Sequence, residues 1–97
     1  MKTTKPYDAA EYLSSEEEMA TYLEEAFSEG DASLVIQALG NIARARGMTQ
    51  LARETGLRRE SLYKALSSEG NPEFGTILKV VKALGIKLHA ETMNATL

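Results

Sequence analysis

Residues 48–66 read MTQLARETGLRRESLYKAL, and the spacing within this stretch decides the fold prediction. Two short crossing helices need a small residue where they touch and a turn residue that tolerates positive φ. They also need an aliphatic residue on the inner face of the second helix. Ala52, Gly56 and Leu62 supply these features in that order. The stretch is therefore predicted to form a helix-turn-helix unit.

Two further helices are predicted before this stretch. Ser15 precedes a glutamate by three residues, which is the spacing of a capping box, and Gly30 fits the end of the helix that Ser15 begins. Asp31 is placed to cap a second helix, which Gly47 ends. Apolar residues recur in both segments with the 3.6-residue period of an amphipathic helix.

After the helix-turn-helix unit, residues 77–84 have the apolar spacing of one more helix, and residues 86–91 alternate as a short strand does. The prediction is an all-α, five-helix domain with an N-terminal helical extension and a short C-terminal strand. At 97 residues we expect a single domain spanning 1–97. Its parts are acidic N-terminal helices at 7–46, a helix-turn-helix core at 47–85, and a strand or tail at 86–97.

The charge of the chain is unevenly distributed. The formal net charge is -3, from 11 basic and 14 acidic residues. Residues 1–40 carry nine acids and two lysines, whereas residues 41–97 carry nine bases and five acids. Such asymmetry favours two surfaces with different partners, although a solvated acidic face in a small chain would give the same split.

Composition excludes several kinds of protein. Without cysteine the chain forms no disulfide and no cysteine zinc site, and its single histidine argues against a transition-metal centre, so no metal or other cofactor is expected. No nucleophile–base pair and no phosphate-binding glycine loop is recognisable, so we predict that the protein is not an enzyme. No apolar run has the length of a membrane span or a signal peptide, which predicts a cytoplasmic protein without a membrane partner.

The second helix of such a unit enters the major groove of double-stranded DNA, and its leading residues approach the bases. Arginine can form two hydrogen bonds to guanine, while hydroxyl and amide side chains commonly contact phosphates. The residues predicted to face the DNA are Arg58, Arg59, Glu60, Tyr63, Lys64 and Ser67, and those predicted to contact phosphates are Thr49 and Asn71.

These assignments have structural alternatives. The three bases could form an ordinary solvated helix face. Glu60 could accept a hydrogen bond from cytosine or pair with Lys64 one turn later. Tyr63 could contact a thymine methyl group or a phosphate, or it could pack against the loop at Asn71.

Two segments resemble the Xre/Cro helix-turn-helix repressors. They are Thr49-Gln50-Leu51-Ala52-Arg53-Glu54-Thr55-Gly56-Leu57 and the stretch from Asn71-Pro72-Glu73-Phe74 to Lys79-Val80-Val81-Lys82-Ala83-Leu84-Gly85. More narrowly, residues 7–91 resemble the addiction-module antidote proteins, which are antitoxins of type II toxin–antitoxin pairs. The residues that carry this closer likeness are Tyr12-Leu13, Tyr22-Leu23-Glu24-Glu25-Ala26, Gly30-Asp31, Ala38-Leu39-Gly40 and Leu84-Gly85-Ile86-Lys87-Leu88.

The resemblance implies a DNA-binding antitoxin that neutralises a RelE/ParE-like toxin and represses its own operon. Toxins of that class are typically basic, so an acidic helical surface would complement them. The candidate toxin-binding residues are Glu17, Glu24, Glu25 and Tyr22. For the glutamates that open the first helix, stabilisation of the helix dipole is an alternative explanation.

Helix-turn-helix modules usually bind DNA as two-fold dimers, so a homodimer is expected. Antiparallel pairing of the C-terminal strand would supply it, through Ile86, Leu88 and Ala90. The alternative is that this tail packs on its own domain.

Two other functions compete with the antitoxin. One is an Xre-type transcriptional repressor without a toxin partner. The other is a helical protein-interaction module with no role on DNA. A small basic reading frame beside the gene would favour the antitoxin.

Overall fold

The computed structural model describes residues 15–93, and every regular element in that range is an α-helix. This confirms the prediction of an all-α chain with five helices. None of the five is long and apolar enough to span a membrane. Their bounds are α1 Glu16–Glu29, α2 Ala32–Arg46, α3 Met48–Thr55, α4 Arg59–Ala65 and α5 Phe74–Ala83.

The first two helices begin and end where the sequence predicts. The Ser15 hydroxyl accepts a hydrogen bond from the Glu18 amide at 3.1 Å, and an Asp31 carboxylate oxygen accepts one from the Ser33 amide at 2.9 Å. Gly30 ends α1 in the left-handed conformation, with φ 71°. Only two residues separate α1 from α2 in the sequence, and such a short connection lets the two helices pack directly against each other.

The turn between α3 and α4 is held by local hydrogen bonds. Gly56 has φ 77°, a conformation that L side chains rarely adopt, and its amide donates to the Ala52 carbonyl at 2.9 Å. The Thr55 hydroxyl donates to the Leu51 carbonyl at 2.9 Å and accepts from the Leu57 amide at 3.2 Å. The predicted pair of short helices joined at Gly56 is therefore present.

One core joins all five helices. Helices that follow one another in the chain pack together, namely α1 with α2, α2 with α3 and α3 with α4, and α5 closes the core against α3. The largest fully buried side chains are Leu23, Leu39, Ile42, Leu51, Leu62, Leu66, Leu84 and Val80. Phe27 and Leu34, which the periodicity places on the inner stripes, are instead 43% and 38% exposed, because they flank the Gly30 turn at the end of the α1–α2 pair.

The strand predicted for residues 86–91 is wrong: this segment has no regular secondary structure. A strand requires a neighbouring strand to complete its hydrogen bonds, and residues 15–93 contain none. Ile86 and Leu88 are partly buried against the core, while Lys87, His89 and Ala90 are exposed. The alternation therefore reflects a tail packed on its own domain. The Tyr12-Leu13 pair, one of the segments that carry the family resemblance, lies outside the described residues.

Gly40 sets how closely α2 approaches the end of α4. A Cβ atom at this buried position would lie 2.5 Å from the Leu66 carbonyl oxygen, which is backbone and cannot swing away. We expect Gly40→Ala to lower the free energy of unfolding by about 1–3 kcal/mol, as overpacked cores do. Urea unfolding followed by circular dichroism measures this change.

The matched control for this prediction is Gln37→Ala, an exposed position in the same helix. It should change the free energy of unfolding by less than about 0.5 kcal/mol. A Gly40→Ala chain as stable as the natural one would show that the two backbones are not in close contact.

Candidate nucleic-acid interface

The burial of α4 determines which of its residues face solvent. Leu62 is fully buried on its inner side, and Leu66, just after its last turn, is buried too. The remaining positions of the helix include four residues predicted to face the DNA, and all four are exposed: Arg59, Glu60, Tyr63 and Lys64. Arg58, the extended residue before the helix, is exposed as well.

The basic side chains of this face are largely unengaged. Within residues 15–93, the side chains of Arg58 and Lys64 form no hydrogen bond or ion pair. The Arg59 side chain interacts with Tyr63: its Nη2 donates to the Tyr63 hydroxyl at 3.3 Å, and its guanidinium carbon lies 5.6 Å from the ring centre. Such a cation–π contact holds the guanidinium in place without neutralising it.

Arg58, Arg59, Glu60 and Tyr63 come together around one open concavity at the leading end of α4. The alternatives for two of them are not realised. Glu60 forms no ion pair with Lys64 in the part of the chain that the structure describes. The Tyr63 ring is 43% exposed beside Arg59 and does not line the concavity at the Asn71 loop.

A second concavity follows at the other end of α4. Lys64, Ser67 and Asn71, three of the predicted residues, line it together. The Ser67 hydroxyl donates to the Lys64 carbonyl at 2.9 Å, which leaves its oxygen free to accept. The loop lies close to the helix because Gly70 has no side chain: a Cβ there would clash with the Ala65 carbonyl.

Thr49 lies apart from both concavities, exposed in the first turn of α3. That helix begins at Gly47 without a side-chain acceptor for its free amides, and α4 and α5 begin without one too. By contrast, α1 and α2 are capped by Ser15 and Asp31. Free amides at a helix start are suited to bind an anionic oxygen such as that of a phosphate.

A separate acidic groove, which we call the α1–α2 groove, runs between the first two helices. Its floor includes a hydrogen bond in which the Asn41 amide donates to the Tyr22 hydroxyl at 2.8 Å. The residues that line it are Tyr22, Glu25, Ala26, Glu29, Leu34, Gln37, Ala38 and Asn41. The first helix as a whole carries six glutamates and no basic residue, and two of the glutamates, Glu25 and Glu29, line the groove.

The structure brings together only some of the predicted toxin-binding residues. Tyr22 and Glu25 line the α1–α2 groove, whereas Glu17 and Glu24 are exposed elsewhere on α1. Glu29, a further glutamate of the acidic helical surface, lines the groove as well, since its spacing of four residues from Glu25 places both on one side of a helix. Leu34 was not predicted to lie in a binding surface, because the spacing of apolar residues in α2 placed it on the side of the helix that faces the core.

The tail residues predicted to form a dimer are also separated. Ile86 and Leu88 line a groove with the second half of α5, next to Lys79 and Lys82, and Ala90 lies outside it. Across residues 15–93, no group of three or more potential metal-binding side chains comes together.

Comparison with known proteins gives one family and one curated relative. The model of a family described as probable addiction module antidote protein matches residues 3–92. An uncharacterized protein of Haemophilus influenzae is 52% identical over 87 residues, which cover 90% of each of the two chains. No solved structure matches this chain.

Proposed function

We propose that this chain, which belongs to the family of probable addiction module antidote proteins, neutralises a RelE/ParE-like toxin and represses its own operon. Toxin would bind the acidic helices and operator DNA the face of α4, in an Xre/Cro-like helix-turn-helix arrangement. The observation that carries this proposal is the division of charge between two surfaces, with unengaged bases on α4 and six glutamates on α1. A role on DNA also places the protein in the cytoplasm.

The DNA part of the proposal rests on α4. Arg58 and Arg59 line the concavity at the leading end of the helix, where side chains of a recognition helix reach base edges. Each arginine paired with a guanine contributes about 1–3 kcal/mol of base discrimination. The second concavity and the free amides of α3, with Thr49 beside them, would contact phosphates and so position the helix.

The toxin part of the proposal rests on the α1–α2 groove. Glu25 and Glu29 are exposed and have no ion-pair partner within residues 15–93, so both carboxylates are available to a basic protein. Leu34 and Tyr22 add apolar surface inside the groove, of the kind that anchors interfaces. Opposite charges on the two proteins would also raise the rate at which they associate.

Co-expression with the product of the adjacent gene tests the proposal. We expect that product to arrest growth when expressed alone, and we expect growth to be restored when this chain is expressed with it. The two proteins should also co-purify after nuclease treatment, which removes any bridging DNA.

An adjacent product that is harmless, or that does not co-purify, would contradict the antitoxin role. The second candidate, an Xre-type repressor without a toxin partner, would then account for the α4 face alone. This second candidate is favoured because the concavities of α4 and the α1–α2 groove share no lining residue. The α4 face could therefore bind DNA without any contribution from the acidic groove.

A further inference from the structure

Arg59 and Tyr63 form a pair on the exposed side of α4. The two residues are four apart in the helix and are therefore neighbours on its surface. The Nη2 atom of Arg59 donates to the Tyr63 hydroxyl at 3.3 Å, and the guanidinium lies over the Tyr63 ring, 5.6 Å from its centre. The tyrosine therefore contacts the arginine in two ways, through its hydroxyl oxygen and through the face of its ring.

This contact restrains a long side chain. An arginine side chain in solvent populates many rotamers, and ordering it on binding costs affinity. Tyrosine has only two side-chain torsions, and Tyr63 follows the fully buried Leu62, which fixes this part of the helix. The side chain of Arg58 has no such contact within residues 15–93. Of these two neighbouring arginines, Arg59 is the one whose guanidinium is held in one orientation.

The contact leaves the Arg59 guanidinium able to bind a base. A guanidinium has five N–H donors, and the hydrogen bond to Tyr63 uses one of them. Glu60 lines the same concavity but forms no ion pair with Arg59 in the described part of the chain, so no carboxylate neutralises the positive charge. The remaining donors are enough for the two parallel hydrogen bonds that guanine O6 and N7 accept.

We propose that Tyr63 is a positioning residue for base recognition, which holds the Arg59 guanidinium in the orientation that guanine requires. Two parallel hydrogen bonds depend on that orientation, so the contact strengthens binding to the correct base. Binding to phosphates depends mainly on charge, which the contact does not change. This role rests on the proposed function, and it is indirect, unlike the contact with thymine or phosphate that the sequence predicts for Tyr63.

NMR relaxation of the arginine Nε–H groups tests the contact in the full chain without DNA. We expect the order parameter of Arg59 to be higher than that of Arg58 in the natural chain. Tyr63→Leu, which removes the hydroxyl and the ring, should lower the Arg59 value to that of Arg58. Tyr63→Phe, which keeps the ring, should give an intermediate value. Equal order parameters for the two arginines in the natural chain would overturn the proposal.

Gel-shift titration tests the consequence for DNA, using the DNA upstream of the protein's own gene and a shuffled sequence of the same composition. We expect Tyr63→Leu to lower the affinity for the upstream DNA about two- to tenfold, which corresponds to the cost of ordering one long side chain on binding. The affinity for the shuffled DNA should not change, and Tyr63→Phe should recover part of the loss. Equal losses on both DNAs would show that Tyr63 acts on phosphates or on the fold, and would overturn the proposal.

The matched control is Phe27→Leu, since Phe27 is 43% exposed, as Tyr63 is, but lies on α1. It should bind both DNAs as the natural chain does. Circular dichroism should show that all these variants keep their helices, because neither aromatic ring belongs to the buried core.

A double-mutant cycle separates positioning from direct contact. Because Tyr63 acts through Arg59, Tyr63→Leu should have no further effect on a chain that carries Arg59→Ala. It should keep its full effect on a chain that carries Arg58→Ala. Additive losses with Arg59→Ala would overturn the proposal, because they would show that Tyr63 contacts the DNA itself.

The NMR measurement uses no DNA, so a failure of the contact is distinguishable from a failure of the proposed function. The second failure would appear as a natural chain that does not distinguish the upstream DNA from the shuffled DNA. It would overturn the role of Tyr63 in base recognition as well, even where NMR shows an ordered Arg59.

Discussion

Replacing Arg58 and Arg59 together by alanine is expected to abolish specific binding to operator DNA. Both side chains line the concavity at the leading end of α4, and neither is part of the core. Loss of two arginine–guanine pairs would cost about 2–6 kcal/mol, which lowers affinity about thirtyfold or more. Gel-shift titration with the DNA upstream of the protein's own gene, at physiological salt, measures the change.

The control for this variant is Lys87→Ala, which removes a positive charge from an exposed position after α5. It should have little effect on the affinity. The natural chain should bind less tightly as salt increases, and the double arginine variant should lose part of that salt dependence because fewer counterions are released. Unchanged affinity of the arginine variant for the upstream DNA would rule out α4 as the recognition helix.

Reversing the charge of the α1–α2 groove, with Glu25→Lys and Glu29→Lys in one chain, is expected to abolish toxin binding and leave DNA binding intact. The two carboxylates would be replaced by ammonium groups facing a basic partner, and like charges at an interface cost several kcal/mol. Neither carboxylate has a partner in the described part of the chain, so the fold should survive. Calorimetric titration with the adjacent gene product measures the effect, and growth rescue reports it in cells.

The matched control is Glu17→Lys with Glu24→Lys, which changes the net charge by the same amount on the same helix. These residues are exposed outside the groove. We expect this chain to associate more slowly with the toxin but still to neutralise it. Equal loss in both variants would assign the interaction to the overall charge of α1, and undiminished binding by the groove variant would place the toxin elsewhere.

Local features of the fold were predictable because their causes are local. Ser15 and Asp31 cap helices by hydrogen bonds to amides two or three residues away, and Gly56 ends α3 because glycine tolerates positive φ. The side of α4 that is exposed to solvent could also be predicted from local information. Once Leu62 is assigned to the core, the helical period alone decides which arginine and lysine face solvent.

Features that depend on how helices meet were not predictable in the same way. The alternation of Ile86 and Leu88 fits both a paired strand and a tail on the core, and only the position of α5 decides between them. The groove at Leu34 depends on how α1 and α2 pack against each other on either side of the Gly30 turn. The stacking of Arg59 on Tyr63 requires particular side-chain rotamers, which a sequence pattern does not specify.

The order of packing, in which each of the first three helices contacts the next one along the chain, also bears on how the protein is made. Contacts between consecutive helices close only short loops, and chains dominated by such contacts fold fast. The docking of α5 on α3 is the step that joins more distant parts of the chain. A newly synthesised copy can therefore assemble its acidic helical pair before α5 has left the ribosome.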